Sequence, residues 1–228
     1  MVNQIATWDG VTRNEALPAR EAELRHSIAD AARDYQWPRL LELLCEHEDR
    51  VNATRPGGSS WYAPLHQAAH GGAPPQVVLR LIDMGAWRTL RTAENERPLD
   101  IARNLGHQQL LALLVPLLRH TVDLDELRAI QKHFHALILE RAGELVQAHA
   151  LRLPELEPLL ELFRPRMWFP VPGMFGGGFR YELDTAGPEV KLVCASWSSA
   201  SGASQERHEI SARGVLDVES ESALAPAR

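Results

Sequence analysis

The stretch Ala63-Pro64-Leu65-His66-Gln67-Ala68-Ala69-His70-Gly71-Gly72 returns 34 positions later as Arg97-Pro98-Leu99-Asp100-Ile101-Ala102-Arg103-Asn104-Leu105-Gly106. Each copy opens on a proline, a residue suited to the first position of a helix because its missing N–H has no helical partner there. Small residues follow, then a glycine that can stop the helix. A weaker copy precedes them. Ala31-Ala32 leads to Leu40-Leu41-Glu42-Leu43-Leu44 with the spacing that separates Ala68-Ala69 from Val77-Val78-Leu79-Arg80-Leu81. Self-similarity at this period marks repeated helical units, each burying its apolar face only against its neighbours.

With its Pro-Leu-His-x-Ala-Ala core, the segment resembles the ankyrin repeat family over roughly residues 25 to 118. The resemblance implies antiparallel helix pairs and a surface of hairpin loops and first helices that grips other proteins. It also implies structural roles for two histidines. His66 would bond backbone and tie adjacent loops together, and His107 would open a second helix as half of a Gly-His pair. The sequence departs from the family at Ala63, where the usual threonine hydroxyl is lost, and Arg97 stands there in the third copy. Glu23 to Arg33 and Pro38 to His47 read as the helices of a first repeat. The loop Arg55-Pro56-Gly57-Gly58-Ser59-Ser60 is longer than a tight hairpin, and such insertions map to one face of a stack.

The composition is that of an ordinary globular chain, with 45% apolar and 24% charged residues among 228. A formal charge of -6, with only Lys132 and Lys191 as lysines, excludes general affinity for nucleic acid, which needs clustered cations. Cys45 and Cys194 lie in apolar runs without CxxC or Cys/His metal spacing, so they read as two buried thiols in a reducing compartment. Residues 1–10 include Asp9 and lack a basic region followed by an apolar one, so no signal peptide is read there. Nothing approaches the roughly 20 apolar residues of a membrane span. The sequence therefore predicts a cytoplasmic protein without membrane contact.

The expected fold is mainly α with a β addition: a short ankyrin repeat stack, capping helices, then a small antiparallel sheet. Residues 1–22 read as a loosely held lead-in, 23–119 as the repeats and 120–165 as capping helices. Leu127, Ile130, Phe134, Leu137, Ile138 and Leu145 recur at helical period, with Asp123 and Asp125 at the positive end of the helix dipole. A shorter helix is expected over Pro154–Phe163. Residues 166–219 are read as three or four antiparallel strands, with Phe179, Tyr181 and Leu183 alternating in one of them and a final hairpin turning at Arg213-Gly214. Residues 220–228 read as a frayed tail.

No motif names a reaction. Gly176-Gly177-Gly178 precedes a strand and lacks GK[ST], so it is a turn or a flap over an apolar pocket rather than a phosphate loop. His133 and His135 straddle Phe134 and point to different flanks of a helix, and no histidine pair there has metal spacing. His208 and Glu209, adjacent on a strand, face opposite sides, which leaves His208 as a polar strand start or an isolated acid–base group. Two functions are expected on these grounds. The first is an ankyrin-type adaptor or regulatory protein that binds another protein through hairpin loops and aromatic residues. Trp61, Tyr62, His70, Trp87, Trp168, Phe175 and Trp197 are the candidate contacts to a partner or a ligand. The alternative is a small acid–base lyase, cyclase or isomerase that needs no cofactor and no metal. It would act on an apolar metabolite in a pocket between repeats and sheet, with His133, His135, His208 and Tyr181 as the proton-transfer groups.

Overall fold

The computed structural model describes residues 5–174, 177–198 and 204–218. The chain divides into two compact units, Val11–Leu118 and a second built from Arg119–Arg228 together with Met1–Gly10. Among the described residues there are seven α-helices and one mixed six-stranded sheet.

Six helices form the first unit: α1 (Ala19–Arg33), α2 (Trp37–Glu46), α3 (Pro64–His70), α4 (Pro75–Asp83), α5 (Pro98–Asn104) and α6 (Gln108–Leu114). The two sequence copies become α3 and α5, of equal length and each with proline in the first turn. Helices pack in two layers, with α1 on α3 and α3 on α5, and α2 on α4 and α4 on α6. The small residues Ala68, Ala69 and Ala102 let backbones approach between fully buried Leu40, Leu44, Val78, Leu81, Leu110 and Leu114. Helix α1 starts at Ala19, right after Pro18, earlier than the expected Glu23.

A helix end leaves carbonyls without partners, and a residue in the left-handed region lets the chain turn back to satisfy them. Three helix pairs close this way. Gln36 N–H bonds Ala31 O at 2.9 Å, Ala73 N–H bonds Ala68 O at 2.9 Å, and His107 N–H bonds Ala102 O at 2.8 Å. The residue one step earlier has φ of 57° at Tyr35, 58° at Gly72 and 77° at Gly106. Glycine takes that conformation at no steric cost, whereas a side chain costs about 1–2 kcal/mol. The first pair therefore carries tyrosine where the later two carry glycine. The hairpin loops show a second such equivalence: Trp61 (φ 54°) and Asn95 (φ 63°) each stand two residues before the residue that precedes a helix-opening proline.

His66, fully buried, joins one loop to the next. Its Nδ1 accepts the Ala63 N–H at 3.1 Å, so Nε2 carries the proton and donates to Leu90 O at 2.9 Å. In the third copy Asp100 plays the capping part and accepts the Arg97 N–H at 3.0 Å. Neighbouring loops are joined again by the Ala93 N–H to Ser60 O bond.

The second unit holds β1 (Ala6–Thr7), α7 (Leu124–Ala148), β2 (Arg166–Pro170), β3 (Gly178–Asp184), β4 (Lys191–Ser198), β5 (Ser204–Ser211) and β6 (Gly214–Val218), with the strands in sequence order across the sheet. All neighbouring strands are antiparallel except β1, which runs parallel to β2. Three expectations need correction. The sheet has six strands rather than three or four, and it is mixed. The lead-in is not loosely held: Trp8 is 2% exposed, its indole N–H donates to Arg152 O at 2.9 Å, and the Arg152 guanidinium lies over its ring. The segment expected as a helix over Pro154–Phe163 is a 3-10 turn at Glu157–Glu161. Phe163, at the end of that segment, is 83% exposed. The expected tail at 220–228 lies outside the described residues.

Asp123 caps α7 by accepting the N–H groups of Asp125 and Glu126. Residues Leu127, Ile130, Phe134, Leu137 and Ile138 are buried along it. Ala142 departs from helical geometry (φ -142°, ψ 20°) just before Gly143, which turns the buried stripe so that Val146 replaces Leu145 in the core. Gly178, opposite Pro170, stands where an added Cβ would run into Phe169 O, so close strand approach accounts for this glycine.

Truncating His66→Ala leaves two buried backbone groups without partners. A loss of about 3 kcal/mol is expected, read as a lowered urea midpoint with an unchanged m-value.

Candidate functional site

Five rings of the first unit touch in succession. Tyr35 stacks on Trp37 with centroids 5.4 Å apart and an interplanar angle of 28°. On its other side Tyr35 lies 6.5 Å from the His70 ring, and its hydroxyl is hydrogen-bonded to His70 Nδ1 at 2.9 Å. Tyr62 meets His70 edge-on at 6.1 Å and lies 5.7 Å from His66. Local structure explains the alignment. The left-handed turn places Tyr35 beside Gly71, where an added Cβ would run into the Tyr35 ring. Only glycine at 71 leaves room for that ring. His70 and His66 are one helical turn apart on α3 and therefore share a face.

The ladder is held from a third turn as well. His107 Nε2 donates to His70 O at 3.1 Å, and its ring covers Gly72. His66 is buried, Trp37 and Tyr62 are half-buried, and Tyr35 (43% exposed) and His70 face solvent. Burial, aided by the nearby Glu96 carboxylate, pushes the Tyr62 phenol above its ordinary value, so it stays protonated at neutral pH. Charges beside the ladder are matched locally: Arg33 bonds Asp34 at 2.9 Å and Asp30 at 3.1 Å, and Arg39 bonds Glu42 at 2.8 Å.

Two of the expected contacts, Tyr62 and His70, belong to this ladder. Trp61 is half-buried next to Tyr62 in the left-handed region. Trp87 is 7% exposed and packs inside the unit, its N–H donated to Asn52 Oδ1 at 2.9 Å. Trp168 lies in β2 of the other unit with its ring edge over Gly177, facing away from buried Met167 and Phe169. Phe175 lies outside the described residues, as does the side chain of Trp197, whose backbone pairs with Gln205. Sequence reasoning missed Tyr35 and Trp37. A signal existed in the alignment of Tyr35 with Gly72 and Gly106.

The proton-transfer candidates all fall in the second unit. Met167, Tyr181, Cys194 and His208 are successive register partners on the inner face of β2, β3, β4 and β5. Phe134 of α7 covers Tyr181 at 4.9 Å. His208 is 2% exposed, which corrects the expectation of a polar strand start at the surface. Its Nε2 lies 3.9 Å from Glu206, a carboxylate bound by Arg141 of α7 at 2.6 Å. Burial, with a smaller contribution from Cys194, holds the Tyr181 phenol well above its ordinary value, and burial likewise pushes up the Cys194 thiol. Both stay protonated, and Tyr181 gives its hydrogen to Met167 Sδ at 3.4 Å. A buried neutral thiol beside a buried imidazole packs a core rather than supplying a thiolate. Cys45, expected to be buried, is exposed near the end of α2. His133 and His135 flank Phe134 on α7, and His135 donates to Pro154 O at 2.7 Å. Among the described residues no group of three or more metal-ligating side chains forms, and no helix is long and apolar enough to cross a membrane.

No family model matches the sequence.

Burial holds the His135 imidazole below its ordinary value of 6.5, and the bond to Pro154 O offsets this only in part. The unfolded chain therefore takes up a proton first as pH falls. The stability tied to neutral His135 is complete above about pH 6.5 and declines below it toward the folded value. His135→Gln, which keeps a donor for Pro154 O, is expected to lose less stability than the parent between pH 7 and pH 5 in urea titrations. Equal slopes would contradict the assignment.

Proposed function

We propose that this chain is an ankyrin-type adaptor or regulatory protein that binds a protein partner through the ring ladder of its helical unit. The observation carrying this reading is the unbroken succession Trp37, Tyr35, His70, Tyr62 across two consecutive helix pairs, with Tyr35 and His70 facing solvent. Tyrosine and tryptophan supply large rigid contact area at low entropic cost and dominate binding energy at interfaces. Tyr35 holds a conformation that glycine would hold without strain, and strain kept at a surface side chain points to use of that side chain. The paired helices, the two-layer packing and the His66 loop tie agree with the ankyrin resemblance, whose members bind proteins on this kind of scaffold.

The site separates binding from stability. Tyr35→Gly relieves about 1–2 kcal/mol of backbone cost while losing a ring stack and a hydrogen bond of about that size together. Its unfolding free energy from urea titration is expected to stay within about 1 kcal/mol of the parent. Loss of an anchoring aromatic is expected to weaken partner capture from cell extract by about 30-fold or more, and Trp37→Ala is expected to do the same. Undiminished capture by both folded variants would overturn the reading.

A further inference from the structure

We propose that β6 is a pairing edge at which a second copy of this chain adds its own β6, antiparallel and related by a two-fold axis at Val215. The sheet ends at β6, and among the described residues no strand lies beyond it. An edge strand presents a row of N–H and C=O groups without sheet partners. Chains that keep such an edge free make it very short, or break it with lysine, proline or a bulge. The opposite edge obeys that rule, since β1 has two residues. Strand β6 runs Gly214-Val215-Leu216-Asp217-Val218, with neither lysine nor proline, and pairs one-to-one with β5 without a bulge.

Register fixes which backbone groups face outward. Ala212-Arg213 turns the hairpin, and Ser211 pairs with Gly214. Bonded and non-bonded pairs alternate from there, so Gly214, Leu216 and Val218 bond towards β5, whereas Val215 and Asp217 direct N–H and C=O away from it. Val215 is level with Ile210, which is fully buried, yet Val215 itself is 36% exposed. Helix α7 packs against both β5 and β6, so the inner layer reaches the edge and stops there. A second Val215 across the axis fills that place, and the two residues exchange a pair of backbone bonds. Leu216 is 63% exposed on the other face. It stands level with Gly214 of the second copy, which makes the two leucines diagonal neighbours.

Charge selects a second copy over an unrelated strand. Asp217 is the single charged residue of β6, and a lone charge on an edge discourages indiscriminate pairing. Pairing about Val215 sets it level with Arg213 of the second copy, and symmetry repeats the match at the other end. The Arg213 side chain is 87% exposed and meets Glu189 at 3.5 Å, so donors of its guanidinium remain for a second carboxylate. The other charges near the strand are placed elsewhere. Glu209, level with Leu216, is bonded by Lys191 at 2.9 Å, and Glu206 by Arg141 at 2.6 Å. Arg207 is level with Val218, beyond the span from Arg213 to Asp217. A partner of another sequence has to supply an apolar residue and both charges at these places, whereas a second copy supplies them by symmetry.

The test is sedimentation velocity of the whole protein over a concentration series reaching about 500 µM, well above the expected Kd. The mass is expected to rise from 25.5 kDa towards twice that value. A Kd on the order of 10–100 µM suits so small an interface. Val215→Pro removes an outward N–H and leaves the β5 ladder its donors, and it is expected to weaken association by about 10-fold or more. Arg213→Asp and Asp217→Arg each set like charges level with one another and are expected to weaken it too. Mixed one-to-one, those two variants again have opposite charges at both ends, and association is expected to return. Monomer mass throughout the series, association that survives all three variants, or failure of mixing to restore it would overturn the proposal. A monomer whose Val215 amide is protected from hydrogen exchange would also overturn it, because the edge is then covered by the chain itself.

Discussion

The carbonyls at the end of a helix must find donors, and much of the first unit follows from how this chain meets that demand. At Ala31, Ala68 and Ala102 the solution is one bond from five residues ahead, with an intervening residue in the left-handed region. Because the solution recurs, the turns recur in register, and side chains on successive turns are brought side by side. His107 reaches the His70 carbonyl for this reason, and the Tyr35 ring lies against Gly71 for the same reason. At two of these turns the left-handed residue is glycine and offers nothing to a partner. At the first it is tyrosine, and an aromatic surface begins there. A backbone requirement that glycine meets freely is thus met by a residue that makes contacts.

The second unit obeys a different constraint. Its chemically versatile groups, Tyr181, Cys194 and His208, are consecutive partners across a sheet whose inner face is covered by Phe134. Removal from water keeps the phenol and the thiol protonated, so neither is a nucleophile or base at neutral pH. Glu206 lies 3.9 Å from His208 Nε2, and Arg141 from α7 engages that carboxylate. Helix and sheet are thereby joined by an ion pair at the border of an apolar core. The succession of touching rings with solvent-facing members lies in the helical unit, and the functional reading accordingly rests there.

The helices were legible in the sequence wherever apolar spacing and helix punctuation agreed. Pro64, Pro75 and Pro98 mark helix starts, Gly72, Gly85 and Gly106 mark turns, and the stripe from Leu127 to Ile138 defines α7. The β1 strand was not legible, because two residues carry no periodicity and their partner lies some 160 positions away at Met167 and Trp168. Its evidence in the sequence was a single tryptophan, Trp8, in a polar lead-in. At Leu156, Leu159 and Leu160 the 3-10 turn has the apolar spacing of a helix, so spacing alone does not separate the two. His208 was misread as exposed since its neighbours Glu206, Arg207 and Glu209 are charged, and alternation buries one face of such a strand even so. Two of the five rings, Tyr62 and His70, were visible as candidate contacts. Tyr35 and Trp37 escaped because the first repeat lacks the Pro-Leu opening that aligns the other two, so the tyrosine was not set against its glycine counterparts.

The claim at the centre of this account is that the turn surface of the helical unit meets another protein. The most direct measurement is site-specific photo-crosslinking in cell extract, with a benzophenone amino acid introduced at exposed Gln36, between the two aromatic residues, and, in a separate protein, at exposed Leu79 on α4. The expected result is a discrete protein adduct from position 36 that is suppressed by Tyr35→Gly, with none from position 79. Absence of a protein adduct at position 36, or equal adducts from both positions, would contradict the account.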